Sequence, residues 1–576
     1  MKFDMKRLTY SILISAGLLG AASCSFLDMK PNVIASETFY NSRKEVLYGL
    51  AGVYGVMNNE EFYGNYYSIM LSNADDLSYY NRPTTNNFTP WYKHDASAAE
   101  IYRAWTEIYS GISNANAFME AVAESEFDAD HKLYNEARFL RAYYHFILAQ
   151  AWGDVPLKTK STKTPEEVMC PATAQYEVLK WAASEMEACL ELADESLENT
   201  PSRVSKTTIE GVLARVYLFM AGETVQGNEN DRNDLYKKAM DSAKAVISSG
   251  LHRLNPDYSQ VFINMISDKY DTEYRESMWE VDFMGNRSSA ENWSNGRIGD
   301  ILGLQSSGSS GYADFKCNYA YGQYDGSLQL WDLYWKTDRT DDENEGSTIT
   351  DKRQEWNMCP YNYAGNANYP PYPAATGSGT GKSVASIDKT PYVYNSVSTG
   401  QNPTAAPAIR NCGKFRREVQ YEGVQDAKRL YTQINYPLLR YSDVLLMYAE
   451  AANEYSGPSE EAYDCVKQVR DRAGIATKPY SGNYDSKEAF RQMIRNERGR
   501  ELCFESLRKY DLIRWGEFEN AMHGYVEKTA DERWTKHAKA GYAAAIGASV
   551  QHKHIVLPIP AVELGVNKEL HQNPLW

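Results

Sequence analysis

The chain lacks most of what a hydrolase, a metalloprotein or a nucleic-acid binder needs. It has no GxSxG elbow and no HExxH pair, and among only 9 histidines His94, His145, His552 and His554 fall at no metal-ligating spacing. No CxxC occurs, so zinc-ribbon and thioredoxin readings are excluded. Setting Cys24 apart from the 8 cysteines leaves an odd number: Cys189, Cys465 and Cys503 fall in helical patterns as small core residues, while Cys170 and the loop cysteines Cys317, Cys359 and Cys412 make up the rest. A disulfide among the last three requires oxidising surroundings. Positive charge is short as well: 60 Lys+Arg against 76 Asp+Glu gives -16, the opposite of a nucleic-acid footprint. Beyond the first residues, no stretch approaches the roughly 20 apolar residues of a membrane helix. GSGTGKS at Gly377–Ser383 is one residue short of a phosphate loop, and DRTDDENEG at Asp338–Gly346 lacks the Gly and Glu positions of a calcium loop. Asp75 and Asp76 are adjacent, so a glycosidase reading has to find its second carboxylate elsewhere. No metal, cofactor or catalytic group is expected.

What the chain has in excess is aromatic surface. It carries 44 Tyr and 12 Trp, side chains suited to flat contacts with partly polar partners. The opening, with Lys2, Lys6 and Arg7 before SILISAGLLGAAS, reads as a secretory signal over residues 1–23. LLGAASC at Leu18–Cys24 resembles a lipobox, which makes Cys24 the expected lipidation site, with residues 24–41 as a tether.

Helical periodicity then dominates. Residues 42–57, 97–119, 137–151, 176–193, 206–220, 234–249, 441–455 and 460–473 place apolar side chains at three-to-four spacing, and those from 97 onward read as helical hairpins. The helical scaffold therefore covers about 97–250 and 436–520 of a single domain, 42–576. Two stretches interrupt it, about 58–96 and 251–435, rich in Tyr, Asn, Gly, Ser and Pro, and read as a loop-rich lobe. Within that lobe the patterns predict a strand at 277–283, a short helix at 327–339, and extended pieces at 391–396 and 414–419.

The densest mixture of charge and apolar bulk is NERGRELCFESLRKYDLIRWG at Asn496–Gly516. Glu497, Glu501 and Glu505 recur at i,i+4, Arg508 stands three residues before Asp511, and Leu502, Phe504, Leu507, Tyr510, Leu512, Ile513 and Trp515 lie between the ions. A solvated helix would not carry so many apolar groups, so the segment reads as a buried paired network in which Glu501, Arg508 and Arg514 are structural.

The same residues resemble the ERRxELxFEGxRxxDLxRWG signature of the SusD/RagB family of outer-membrane nutrient-binding lipoproteins. EARFLRAYYHFILAQAWGDVPL at Glu136–Leu157, SRVSKTTIEGVLARVYLFMAG at Ser202–Gly222, YPLLRYSDVLLMYAEAANE at Tyr436–Glu454 and the close HIVLPIPAVELGVNKELHQNPLW follow the family in order, with Leu575 where a Gly is usual. The resemblance implies a mostly α fold, a tetratricopeptide-like scaffold of helical hairpins with a large loop-rich inserted lobe. It also implies a lipid-anchored, surface-exposed protein of the outer membrane that captures a glycan and passes it to a SusC-like TonB-dependent transporter. Some members of that family handle peptides, and a surface glycan hydrolase and a structural adaptor are the readings outside it.

Sugar rings present flat C–H faces that Trp and Tyr cover, while carboxylate, amide and guanidinium groups bond the hydroxyls. Two stretches hold that mixture. In residues 75–92 the expected ligand residues are Asp76, Tyr80, Asn81, Arg82, Trp91 and Tyr92; in residues 293–324 they are Trp293, Tyr312, Tyr319 and Tyr321.

Overall fold

The computed structural model describes residues 40–84, 87–195, 200–283, 296–305, 320–335, 351–359, 410–417, 431–475, 477–528, 531 and 538–576. Helices α1 (Arg43–Tyr54), α2 (Ala99–Val122), α3 (Lys132–Trp152), α4 (Gln175–Cys189), α5 (Lys206–Met220) and α6 (Arg232–Ser249) come first. Local chemistry sets their ends: Ser42 Oγ accepts from the Glu45 amide and Ser205 Oγ from Thr208, while α6 stops at Gly250, whose φ of 67° suits a residue without Cβ. After α7 (Tyr258–Ile266) and a strand at Ser277–Val281, α8 (Leu328–Trp335), α9 (Tyr441–Ser456), α10 (Glu460–Arg472) and α11 (Lys487–Leu502) follow. Ser459 and Ser486 cap α10 and α11 in the same way.

Helices α2 and α3, α3 and α4, α5 and α6, and α9 and α10 pack as successive neighbours, and α9 also closes against α6 and α11. Mostly helical, and built of such hairpins, the architecture is a tetratricopeptide-like superhelix. The lobe is tied to this scaffold by two antiparallel ribbons. Strand β1 (Ser78–Tyr80) pairs with β3 (Tyr324–Gly326), and β2 (Ser277–Val281) pairs with β4 (Tyr436–Arg440), which leads directly into α9.

Three expectations need correction. The stretch at 58–96 is irregular, as expected, but its middle is core rather than open loop: residues 67–81 are buried throughout, in irregular helical turns at Glu60–Gly64 and Tyr66–Leu71 followed by β1. Its tyrosines pack inward, Tyr67 stacking on Tyr510 and Tyr63 lying against Tyr436. The scaffold also runs past residue 520, with α13 (Phe518–Glu527) and α14 (Ala538–Ser549) packed together, and Lys414 and Phe415 form a turn where an extended piece is expected at 414–419, of which 418 and 419 lie outside the described residues. Residues 391–396, 377–383 and 338–346 lie outside the described residues.

The charged signature is two helices rather than one. α11 ends at Leu502, Phe504 (φ 65°) and Ser506 (φ 59°) turn left-handed, and α12 (Arg508–Arg514) begins afterwards. Glu505 therefore leaves the helical row of Glu497 and Glu501, yet all three carboxylates are buried and paired. Glu501 meets Arg353 at 2.9 Å, Arg440 at 3.0 Å and Arg472 at 2.6 Å. Glu497 meets Arg353, Arg470 and Arg500, and Glu505 meets Lys414 and Arg440. Burial alone would raise the Glu501 carboxyl, but the Arg472, Arg440 and Arg353 guanidiniums outweigh it and hold the group well below the usual carboxylate range. The expected Arg508–Asp511 pair does not form: Arg508 reaches back to Asp76, both forks at 2.8 Å, and Asp511 takes Arg498 and Arg514 instead. The helix break between 502 and 508 redirects Arg508. Cys189, Cys465 and Cys503 are buried free thiols as expected, and Cys359 and Cys412 are buried too; Cys317 lies outside the described residues.

Candidate functional site

The β1–β3 ribbon brings the two aromatic-rich stretches together. Its register sets Ser78 opposite Gly326, Tyr79 opposite Asp325 and Tyr80 opposite Tyr324. Past the ribbon's end the pairing continues through polar groups: the Asn81 amide donates to the Gln323 carbonyl at 2.8 Å, and Asn81 Nδ2 donates to the Gly322 carbonyl and to Asp325 Oδ1. Arg82 Nη2 then donates to the Tyr321 carbonyl at 2.7 Å. Gly322 is needed there, since its φ is 55° and a Cβ would meet the Gln305 amide nitrogen at 2.7 Å.

Asp325 is the knot of this arrangement. Fully buried, it accepts from Asn81, from Asn411 Nδ2 at 2.6 Å and from Lys539 Nζ at 3.2 Å, tying three segments and α14 to one carboxylate. Burial pushes its pKa up, and Lys539 and Asn81 oppose that push. On the other side the backbone of Phe88 pairs with that of Lys93, closing a loop whose tight turn at Thr89–Trp91 ends on Tyr92 with φ 53°. Trp91 Nε1 donates to the Arg82 carbonyl, its ring faces Tyr542 at 5.8 Å, and the Lys93 ammonium stands 5.2 Å from its centroid.

The ten ligand residues expected from the sequence thus separate. Arg82 and Tyr321 are partly exposed, and they stand beside Trp91, which is 5% exposed. Asp76, Tyr80, Asn81 and Tyr92 face inward: Asp76 is clamped by Arg508, Tyr80 packs on Phe88 and Tyr324, and the Tyr92 ring lies between Phe518 and His554 with its hydroxyl donating to the Ala74 carbonyl. These four hold the loop from below. Trp293, Tyr312, Tyr319 and the expected lipidation residue Cys24 lie outside the described residues.

Three rim residues escaped sequence reasoning, namely Lys93, Lys539 and Tyr542. A signal was present: α14 reads AKAGYAAAIGAS, in which Lys539 and Tyr542, at i,i+3 on one face, are the only cation and the only ring. Elsewhere, a cavity of about 290 Å³ between α1 and β2 is lined by Leu47, Leu50, Met57, Trp279 and Asp282, and none of the expected residues that are described borders it.

A family model described as "SusD family" matches residues 275–576, and a second, described as "Starch-binding associating with outer membrane", matches residues 25–218. SusD-like protein P25 of Formosa agariphila is 26% identical over 571 residues, 95% of this chain and 95% of that one. A SusD homolog from Bacteroides thetaiotaomicron superposes with a TM-score of 0.77 at 24% identity, over 94% of this chain and 98% of that one. A laminarin binding SusD-like protein superposes with a TM-score of 0.64 at 20% identity, over 93% and 100% of the two chains. At these identities the solved structures speak to the fold.

Proposed function

The chain belongs to the SusD family, and on that premise we propose that it is a cell-surface glycan-binding lipoprotein that captures saccharides and hands them to a TonB-dependent transporter of the outer membrane. The observation that carries this reading is the ribbon, which sets Arg82, Tyr321, Trp91 and Tyr542 around one rim over a rigid polar base. Aromatic edges beside a fixed guanidinium are what a sugar ring with several hydroxyls requires. The framework beneath is pre-formed, so little ordering entropy opposes binding.

Binding rather than hydrolysis is the reading supported by the carboxylates. Asp75 is buried and accepts from the Leu77 and Ser78 amides, and Asp76 is held by Arg508, so neither stands at the rim. Attachment through Cys24 and docking on a transporter rest on the lipobox-like LLGAASC and on the family.

Calorimetric titration of the purified chain against a glycan panel tests the central claim. Saturable binding that falls in Tyr321→Ala and Arg82→Ala without loss of melting temperature is the expected result, and the absence of any saccharide ligand would overturn it. New reducing ends in the same mixtures would favour the hydrolase. Cys24→Ala should move the protein out of the membrane fraction, and mild-detergent extracts of the wild type should contain the transporter.

A further inference from the structure

The cations of the rim differ from most of those elsewhere in the molecule. Among the described residues Arg82 is fixed by a backbone carbonyl and bonded by no carboxylate, and Lys93, exposed and over the Trp91 ring, forms an ion pair with no acid. Lys539, 26% exposed and ion-paired with the buried Asp325, stands beside them three residues from Tyr542. The acids of these segments are already engaged: Asp325 is fully buried and saturated by Asn81, Asn411 and Lys539, and Asp95 accepts from the Ser97 hydroxyl and amide.

This local excess stands on a chain of net charge -16, which repels polyanions at long range. At physiological ionic strength that repulsion is screened beyond about 8 Å, so the groups at the rim decide what binds there. One fixed guanidinium suffices to bond the hydroxyls of a neutral sugar; a second, exposed ammonium beside it, with the buried Asp325 the acid that acts on Arg82, leaves positive charge that an anionic ring would meet. A guanidinium fixed by one of its N–H groups keeps the others for a planar or tetrahedral oxyanion, and an ammonium over an aromatic ring supplies a second, more mobile charge.

From this juxtaposition we infer that the rim of Arg82, Lys93 and Lys539 around Trp91 and Tyr542 takes an anionic saccharide, one whose rings carry carboxylate or sulfate ester groups. The inference rests on the glycan-binding reading and narrows it to a substrate class.

The test titrates the full mature chain with four probes: a uronic-acid oligosaccharide, its carboxyl-reduced counterpart, a sulfated galactan oligosaccharide, and its desulfated counterpart. At least one anionic probe should bind about 10-fold tighter than its neutral counterpart, the scale of one hydrogen bond to a charged group. Raising the salt from low to high should erode that preference. Arg82→Gln should lose about 10-fold and Lys93→Gln about 3-fold for the anionic probe only, with unchanged melting, while Lys160→Gln, an exposed position remote in sequence, should lose nothing. Whichever anionic arm binds identifies the group recognised. Equal affinity for charged and neutral counterparts, or an anionic affinity indifferent to both substitutions, overturns the inference and leaves glycan binding standing. Failure of all four probes and of neutral glucans removes both.

Discussion

Arg440 and Arg82 carry the same guanidinium into opposite surroundings. Arg440 is 1% exposed and is bonded by Glu276, Glu501 and Glu505 together with the Ser442 hydroxyl. Arg82 is partly exposed and, among the described residues, donates only to the Tyr321 carbonyl. In the first region each charge is cancelled by geometry and contributes to holding α9, α10 and α11 in one arrangement; in the second a charge is held in place and left over. Dense charge in this sequence therefore marks the interior, and the sparse mixture of one Arg, one Lys and a few rings marks the surface that can act on something else. Buried ion networks disturb titration as strongly as active sites do, and the completeness of pairing is what separates the two.

The largest effect that would test this contrast is expected at Glu501. Glu501→Gln keeps the shape and removes the charge shared by Arg353, Arg440 and Arg472, and should cost about 3–5 kcal/mol of unfolding free energy with glycan affinity of the folded protein unchanged. Denaturant unfolding with calorimetry on the same sample decides it. A stable variant with lost affinity would move the network into the site. Acid should act in the same direction. Burial tends to raise Glu497, but Arg353, Arg500 and Arg470 bring it down to about 2, so its stabilisation is present above the unfolded carboxylate pKa and is lost as pH falls from about 4.3 toward 2.

Glu280 sharpens the comparison by its sign. It is buried on β2 with Asn435 Nδ2 at 3.1 Å and, among the described residues, no ion pair to an arginine, and burial pushes its pKa up to about 8. For a raised carboxylate the stabilising contribution is complete below the unfolded pKa and is lost as pH rises through the folded one, so stability should decline between about pH 4.3 and 8. Glu280→Gln should flatten that decline and add on the order of 3 kcal/mol at pH 8. Parallel slopes for the two proteins would mean the carboxyl is ionised throughout.

Asp76 lies between the two regions, in the loop stretch but paired like a core residue. Asp76→Asn leaves the Arg508 fork with a neutral partner and should cost about 2 kcal/mol of stability, the scale of a hydrogen bond to a buried charge. Affinity should follow only through loosening of the loop, which thermal melts and titrations at several temperatures separate.

These cases show how far the chain could be read before its structure. The helical hairpins were legible because three-to-four spacing records which face is buried, and Ser caps with Gly stops mark their ends. The paired network was legible as a network, since seven large apolar groups among ions leave no solvated alternative, but its partners were not. Arg353, Arg440 and Arg472 come from segments far apart in sequence, and Arg508 was assigned to Asp511 because no local pattern announces the left-handed turns at Phe504 and Ser506. Around the ribbon, sequence showed where aromatic, amide and guanidinium groups concentrate and could not tell their sides. Tyr80, Trp91 and Tyr92 stand within thirteen positions and all three are buried, yet the Trp91 ring meets Tyr542 and the Lys93 ammonium while Tyr92, at positive φ, packs on Phe518 and His554. Lys539 and Tyr542 reach the rim from a helix more than 200 residues beyond β3, a distance that only tertiary packing closes.

The smallest effect is expected at Tyr542, and it is the most discriminating. Its ring is partly exposed, contacts Trp91 and sits on an alanine-rich helix that keeps its other contacts through Ala540, Ala543 and Ile546. Truncation there removes contact area from the rim without opening the core, so Tyr542→Ala should lower saccharide affinity by about 1 kcal/mol and stability by less than about 1 kcal/mol. Trp91→Ala should do both kinds of damage, because at 5% exposure the indole fills space as well as meeting ligand. Combining the two substitutions in a double-mutant cycle separates the roles: contact with a common sugar ring predicts affinity losses that do not add, whereas independent packing predicts that they do. Additive losses together with an unchanged affinity in Tyr542→Ala alone would mean that α14 only braces the ribbon, and the binding surface would then be confined to Arg82, Tyr321 and the loop carrying Trp91.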